Sequence, residues 1–269
     1  NDHHFISLDL LPDIRMYGLR PSIPQNCLPY ISMVLHTCNQ NHFYHDAVFF
    51  TLFTNKKKGL CMIQLEHISK KFKKKTVLND ISYTFESGKI YGIYGINGSG
   101  KTMLLRIISG LVFPTSGSII INGKTLHKEI SFPDHMGLII ENMELQPQLT
   151  AFENLEELNK INHYATTSDI QDALRKINLQ SNEKVKKFSL GMKQKLNIAQ
   201  AIFENPRLLL LDEPTNALDS DAIEHLKAIL EDLKKKNCCI IIATHDHQNI
   251  TSLCDRILEM KEGNLYDKN

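Results

Sequence analysis

The sequence predicts an α/β fold with a buried parallel sheet, and three stretches carry that expectation. In the first, the apolar run Ile90-Tyr91-Gly92-Ile93-Tyr94 leads into Gly95-Ile96-Asn97-Gly98-Ser99-Gly100-Lys101-Thr102, and Met103 to Ser109 then read as a helix stopped by Gly110. In the second, Leu208-Leu209-Leu210-Leu211 ends in the acidic pair Asp212-Glu213. In the third, Cys238-Cys239-Ile240-Ile241-Ile242-Ala243 ends in Thr244-His245-Asp246. Short, continuously apolar strands that finish on polar residues place those residues at the carboxyl edge of a sheet, where α/β folds bind ligands.

Gly95 to Thr102 fits G-x-x-x-x-G-K-[ST], the pattern of a phosphate-binding loop, and its strand and helix flanks stand in the required order. Gly95, Gly98 and Gly100, with Asn97 and Ser99 between them, let backbone N–H groups converge on phosphate oxygens, and the helix N-terminus adds partial positive charge. Lys101 is expected to reach the β- and γ-phosphates, and the Thr102 hydroxyl to ligate Mg²⁺. The plainer alternative is a glycine-rich surface turn, which the flanks disfavour. In such a site Asp212 would hold Mg²⁺ through water, and Glu213 would stand beside the γ-phosphate. A lone histidine is usually structural, but His245 at the end of a buried strand points to catalysis.

At 269 residues the chain has room for one large domain or two modest ones, and 42% apolar residues suffice for an ordinary core. A formal net charge of +1 gives no overall imbalance that would favour nucleic acid or an anionic membrane. The longest apolar runs, such as Ala47 to Phe53, fall far short of the roughly 18 residues that span a bilayer. Any membrane role must be shared with another polypeptide. Six cysteines without metal-type spacing are most simply read as thiols of a reduced, cytosolic compartment.

Composition shifts near residue 61. Residues 1–61 hold four of the nine prolines and five of the twelve histidines, yet no glutamate, and they show no sustained period or signal-peptide pattern. They are expected to be an atypical segment that is not part of the fold. The functional domain is expected at 62–269, where basic and acidic residues balance at 26 each.

From Met62 to Ile68 the sequence alternates like a strand, as it does again from Val77 to Phe85. The basic run between them, Lys70 to Lys75, reads as a solvated loop or hairpin rather than a nucleic-acid patch. Phe72 within it is either a core residue or a flat platform for a base. Ser118 to Lys124 is a strand running into an Asn122-Gly123 hairpin turn. Gly137 to Ile140 is a buried strand closing on Glu141. Thr150-x-x-Glu153 forms a capping box for a helix to about Asn162, and Ser168-x-x-Gln171 opens a second helix through Ile177. A helical subdomain is therefore expected at about 142–193. A further helix runs from Ser189 to about Glu204, ahead of Pro206. Residues 220–236 carry Ile223, Leu226, Leu230 and Leu233 at the period of an amphipathic helix.

In this order the pieces resemble the ATP-binding subunit of an ABC transporter, from residue 62 to 269. Phe188-Ser189-Leu190-Gly191-Met192 resembles the family's L-S-G-G-Q signature, with Ser189 and Gly191 at matching places. Asn216-Ala217-Leu218-Asp219 resembles the D-loop, and His245 the switch histidine. Phe72 falls where the family stacks an aromatic on adenine. The resemblance implies a P-loop NTPase (RecA-like) core with an antiparallel β subdomain, an ATP and Mg²⁺ requirement, and a head-to-tail pair of ATP-binding subunits beside a separate integral membrane permease. Ser189 and Gly191 of one subunit would face the γ-phosphate held by the other, Glu213 would polarise the attacking water, and His245 would hold phosphate and water in line. This places the chain in the cytoplasm, peripheral to the inner face of the cell membrane, with no nucleic-acid partner.

Two departures narrow the resemblance. Glu141 stands where the family has a glutamine that meets Mg²⁺, and Leu190 and Met192 replace a signature glycine and glutamine. Both resemble the subgroup that exports bacitracin-like or lantibiotic peptides. The competing reading is a soluble ABC ATPase acting on ribosomes or DNA. Members of that kind carry two cassettes or a long coiled coil, and the sequence shows one cassette without heptads.

Overall fold

The structure, a computed structural model, describes residues 62–73, 75–140, 145–245 and 253–268. The expectations for residues 1–61 and for Glu141 lie outside them.

Two sheets organise the described residues. The first is antiparallel, in the order β2-β1-β4-β5, from β1 (Met62–Phe72), β2 (Lys75–Glu86), β4 (Ser116–Ile121) and β5 (Lys124–Thr125). Of the two readings of the basic run the hairpin holds: Lys70 pairs with Leu78, Lys71 with Thr76 and Phe72 with Lys75. The β4–β5 turn is the expected Asn122-Gly123, with φ of 52° and 77°. Two left-handed residues match the twist of a two-residue hairpin.

The second sheet carries the site. Its order is β10-β9-β3-β8-β7-β6, from β3 (Ile90–Tyr94), β6 (Met136–Ile139), β7 (Leu208–Asp212), β8 (Cys239–Thr244), β9 (Arg256–Lys261) and β10 (Asn264–Asp267). All neighbours pair in parallel except β9 and β10. Strands β3, β6, β7 and β8 are buried almost throughout, as their unbroken apolar runs require.

Helix α1 (Lys101–Ile108) follows β3 directly. Helix α2 (Ala151–Asn162) begins at the expected capping box: the Thr150 hydroxyl accepts from Glu153 N, and the Glu153 carboxylate accepts from Thr150 N at 2.7 Å. Helix α3 (Thr167–Lys176) corrects the sequence reading. Its box is Thr166 with Asp169, not Ser168 with Gln171. Asp169 accepts from both Thr166 N and Thr166 Oγ1, at 2.8 and 2.6 Å, an ionised acceptor that a glutamine amide does not match. Helix α4 (Leu190–Ile202) is capped by Ser189, and α5 (Ser220–Lys235) by Asp219. Helix α5 buries Ala222, Leu226, Ile229, Leu230 and Leu233, whereas Ile223 is only partly covered.

One apolar core runs from the sheet into the helices, joining Ile90, Leu209 and Ile240 to Leu155, Ile170 and Leu196. Strand β6 packs closely on α4. A Cβ on Gly137 would stand 1.9 Å from the Ala201 carbonyl oxygen, so only glycine fits there. Among the described residues no helix is long and apolar enough to cross a membrane.

Candidate nucleotide and catalytic site

Strands β3, β7 and β8 lie side by side, so their carboxyl ends bring the three predicted stretches together. The loop after β3 exposes its crest at Ile96, Asn97 and Gly98, while Gly95, Ser99, Gly100 and Lys101 are buried. Gly100 has φ of 116°, and a Cβ there would meet Leu78 at 2.8 Å and the Val77 carbonyl at 3.0 Å. A Cβ on Gly95 would stand closer still, 2.3 Å from the Met260 carbonyl oxygen. The loop is thus pressed between β2 and β9, which fixes its backbone.

Lys101 is only 5% exposed, and its ammonium donates to the Gly95 carbonyl at 2.7 Å and to the Ile96 carbonyl at 3.3 Å. The cation is held over its own loop. Among the described residues the buried Ser99 hydroxyl has no hydrogen-bond partner. No side chain caps the first turn of α1, and that turn contains no acid. An anion at the loop would meet these uncapped N–H groups together with Lys101.

The Thr102 hydroxyl donates to the Asp212 carboxylate at 2.5 Å, joining the start of α1 to the end of β7. A hydroxyl and a carboxylate side by side are hard oxygen donors of the kind Mg²⁺ takes, so these residues fit the metal that the sequence implies.

Glu213 follows Asp212 with φ of 48°, a left-handed backbone that few residues other than glycine adopt. Its N–H still bonds to the Ala243 carbonyl at 2.8 Å, which keeps it in register with β8. Its carboxylate accepts from the Thr244 hydroxyl at 3.1 Å and lies 2.8 Å from His245 Nδ1. Glu213 is mostly sheltered, and His245 is half exposed. Thr244, which the sequence reading passed over, orients Glu213 from the next strand. The sequence shows only a hydroxyl at the end of an apolar run; that it meets Glu213 follows from the pairing of β7 with β8.

Ser189 and Gly191 lie elsewhere. The Ser189 hydroxyl accepts from Met192 N at 3.2 Å at the head of α4. A Cβ on Gly191 would stand 2.8 Å from the Ala217 carbonyl, and Gln194 donates to the Pro214 carbonyl at 3.0 Å. These contacts fix the head of α4 against residues 214–217. Among the described residues neither Ser189 nor Gly191 hydrogen-bonds to the phosphate loop of its own chain. Phe72 is 49% exposed at the end of β1. Two residues earlier on the same strand, Lys70 pairs with Leu78, the residue against which Gly100 packs.

A buried parallel sheet that gathers a phosphate loop, an acidic pair and a histidine at one edge defines a nucleotide-hydrolysing domain. The family model for ABC transporters matches residues 78–216, and the chain belongs to that family of ATP-binding, ATP-hydrolysing cassettes. It is 57% identical over 206 residues to the ABC transporter ATP-binding protein YybJ of Bacillus subtilis, covering 76% of this chain and 94% of that one. It is 38% identical to the lantibiotic transport ATP-binding protein SrtF of Streptococcus pyogenes, covering 76% of this chain and 89% of that one. With the bacitracin transport ATP-binding protein BcrA of Enterococcus faecalis the identity is 36%, over 77% of this chain and 68% of that one. Among solved structures it resembles the dimeric MJ0796 cassette, with a TM-score of 0.68, 28% identity and coverage of 76% of this chain and 96% of that one. A post-hydrolysis state of that cassette bound to ADP and Pi matches with the same TM-score and coverage at 27% identity.

Proposed function

We propose that this chain is the ATP-hydrolysing subunit that energises a separate integral membrane permease, and that the permease exports antimicrobial peptides or drugs. The observation that carries the hydrolytic part is the Glu213–His245 pair, at the ends of β7 and β8, with β8 next to the strand that leads into the phosphate loop. The similarity to the SrtF and BcrA transport proteins supports the export part. So does the replacement of the usual signature residues by Leu190 and Met192.

Each residue has a distinct task in this reading. The loop from Gly95 through Asn97, Gly98, Ser99 and Gly100 wraps the phosphates, and Lys101 offsets the charge that develops on them. Thr102 and Asp212 hold Mg²⁺, with Glu141 as a further ligand. The metal supplies charge neutralisation at the phosphate oxygens. Glu213 draws a proton from the attacking water, and His245 keeps the carboxylate and the γ-phosphate aligned. Phe72 stacks on adenine. Ser189 and Gly191 approach the γ-phosphate from a second ATP-binding subunit, so closure and opening of the pair follow the nucleotide cycle. The chain works in the cytoplasm, peripheral to the inner face of the cell membrane.

The test is fractionation from native membranes in mild detergent, followed by peptide-resistance assays. Copurification with a polytopic membrane protein, and loss of resistance in a Glu213→Gln strain, are expected. Sedimentation with ribosomes and unchanged resistance would contradict the proposal.

A further inference from the structure

We propose that Lys70 positions the Phe72 ring as a base platform, and so sets nucleotide affinity without taking part in turnover. The inference rests on the reading that Phe72 receives adenine.

The Lys70 ammonium sits 5.0 Å from the centroid of the Phe72 ring, within the range of a cation–π contact. The same ammonium donates to the Phe113 carbonyl at 2.6 Å. It is therefore held at one end by backbone and covers the ring at the other. Phe113 is itself fixed, since its ring stacks on His127 at 3.8 Å with 21° between the planes. Two more bonds tie this segment to β1: Thr115 N donates to the Ser69 carbonyl at 2.8 Å, and Lys71 N to the Thr115 hydroxyl at 3.0 Å.

These contacts solve a problem that the hairpin poses. An aromatic side chain half exposed at a strand end is free to take several rotamers, and ordering it on binding costs entropy. A tethered cation on one face removes that freedom beforehand and leaves the other face for a flat ligand. The tether comes from Phe113, a few residues beyond α1. Lys70 thus links the platform to the helix that begins at the phosphate loop, so base and phosphate contacts keep one spacing.

The experiment compares ATP with tripolyphosphate, which has the phosphates but no base, as a competitor of hydrolysis by the full chain. Lys70→Met keeps the apolar stem and loses the cation. It should raise the KM for ATP roughly fivefold, leave kcat unchanged and leave tripolyphosphate inhibition unchanged. Lys70→Arg should restore the wild-type KM. An unchanged KM, or equal weakening of ATP and tripolyphosphate, would overturn the proposal. Phe72→Ala separates the two layers. If it weakens ATP and Lys70→Met does not, only the positioning role fails; if it leaves ATP affinity intact, the base platform itself is wrong and the positioning role falls with it.

Discussion

His245 Nδ1 lies 2.8 Å from a carboxylate oxygen of Glu213, while the other oxygen accepts from Thr244. Strands β7 and β8 end side by side, so the pair is set by sheet register. A carboxylate held at two points presents its basic oxygen in a fixed direction, which proton abstraction requires. His245→Ala should therefore lower kcat for ATP hydrolysis by about 10²-fold or more while nucleotide affinity changes little. Steady-state kinetics alongside equilibrium nucleotide binding checks both halves.

Lys101→Ala should abolish turnover and weaken ATP binding by at least about tenfold. The loss combines the phosphate charge with the two hydrogen bonds to Gly95 and Ile96 that pin the loop. Calorimetric titration with a non-hydrolysable ATP analogue measures the effect.

Gly137→Ala should destabilise the domain by about 3 kcal/mol, because the new methyl group collides with the Ala201 carbonyl and pushes α4 away from β6. A fall in Tm of roughly 6–12 °C is expected by calorimetry. An unchanged Tm would mean that this contact yields without strain.

Glu204 gives a pH dependence. Burial pushes its carboxyl from the ordinary 4.5 up to about 7, against a hydrogen bond from Asn162 that favours the ionised form. Between those pH values the folded state keeps a proton that the unfolded chain has released. Stability therefore falls as pH rises through this window, by up to about 3 kcal/mol above pH 7. Glu204→Gln should be more stable than wild type at pH 8, with the difference shrinking toward pH 5. Denaturant unfolding at both pH values tests it, and a gap independent of pH would contradict it.

Much of this architecture can be read from residue types. Strands β3, β6, β7 and β8 declare themselves because both of their faces are buried, leaving no polar residue to interrupt the apolar run. The phosphate loop does so because its glycines and Lys101 are demanded by backbone geometry and charge. The pair β9 and β10 was not legible in the same way: it lies at the sheet edge, and Arg256 to Lys261 is only partly buried. The cap of α3 was misplaced because Thr166, Thr167 and Ser168 are all competent caps, and only the reach of Asp169 decides among them. Within the site, the Thr244 bond to Glu213 and the left-handed turn at Glu213 depend on which strands become neighbours, and that order is a property of the whole sheet.

The most direct test of the account is the Glu213→Gln variant. Glutamine keeps the size of the side chain and its hydrogen-bonding ability but cannot take a proton. Single-turnover hydrolysis and ATP binding should be measured on the same preparation. The account predicts ATP affinity close to wild type, hydrolysis reduced by at least about 10²-fold, and an ATP-bound dimer that persists in size-exclusion chromatography. Hydrolysis at the wild-type rate would contradict the assignment of Glu213 as the base.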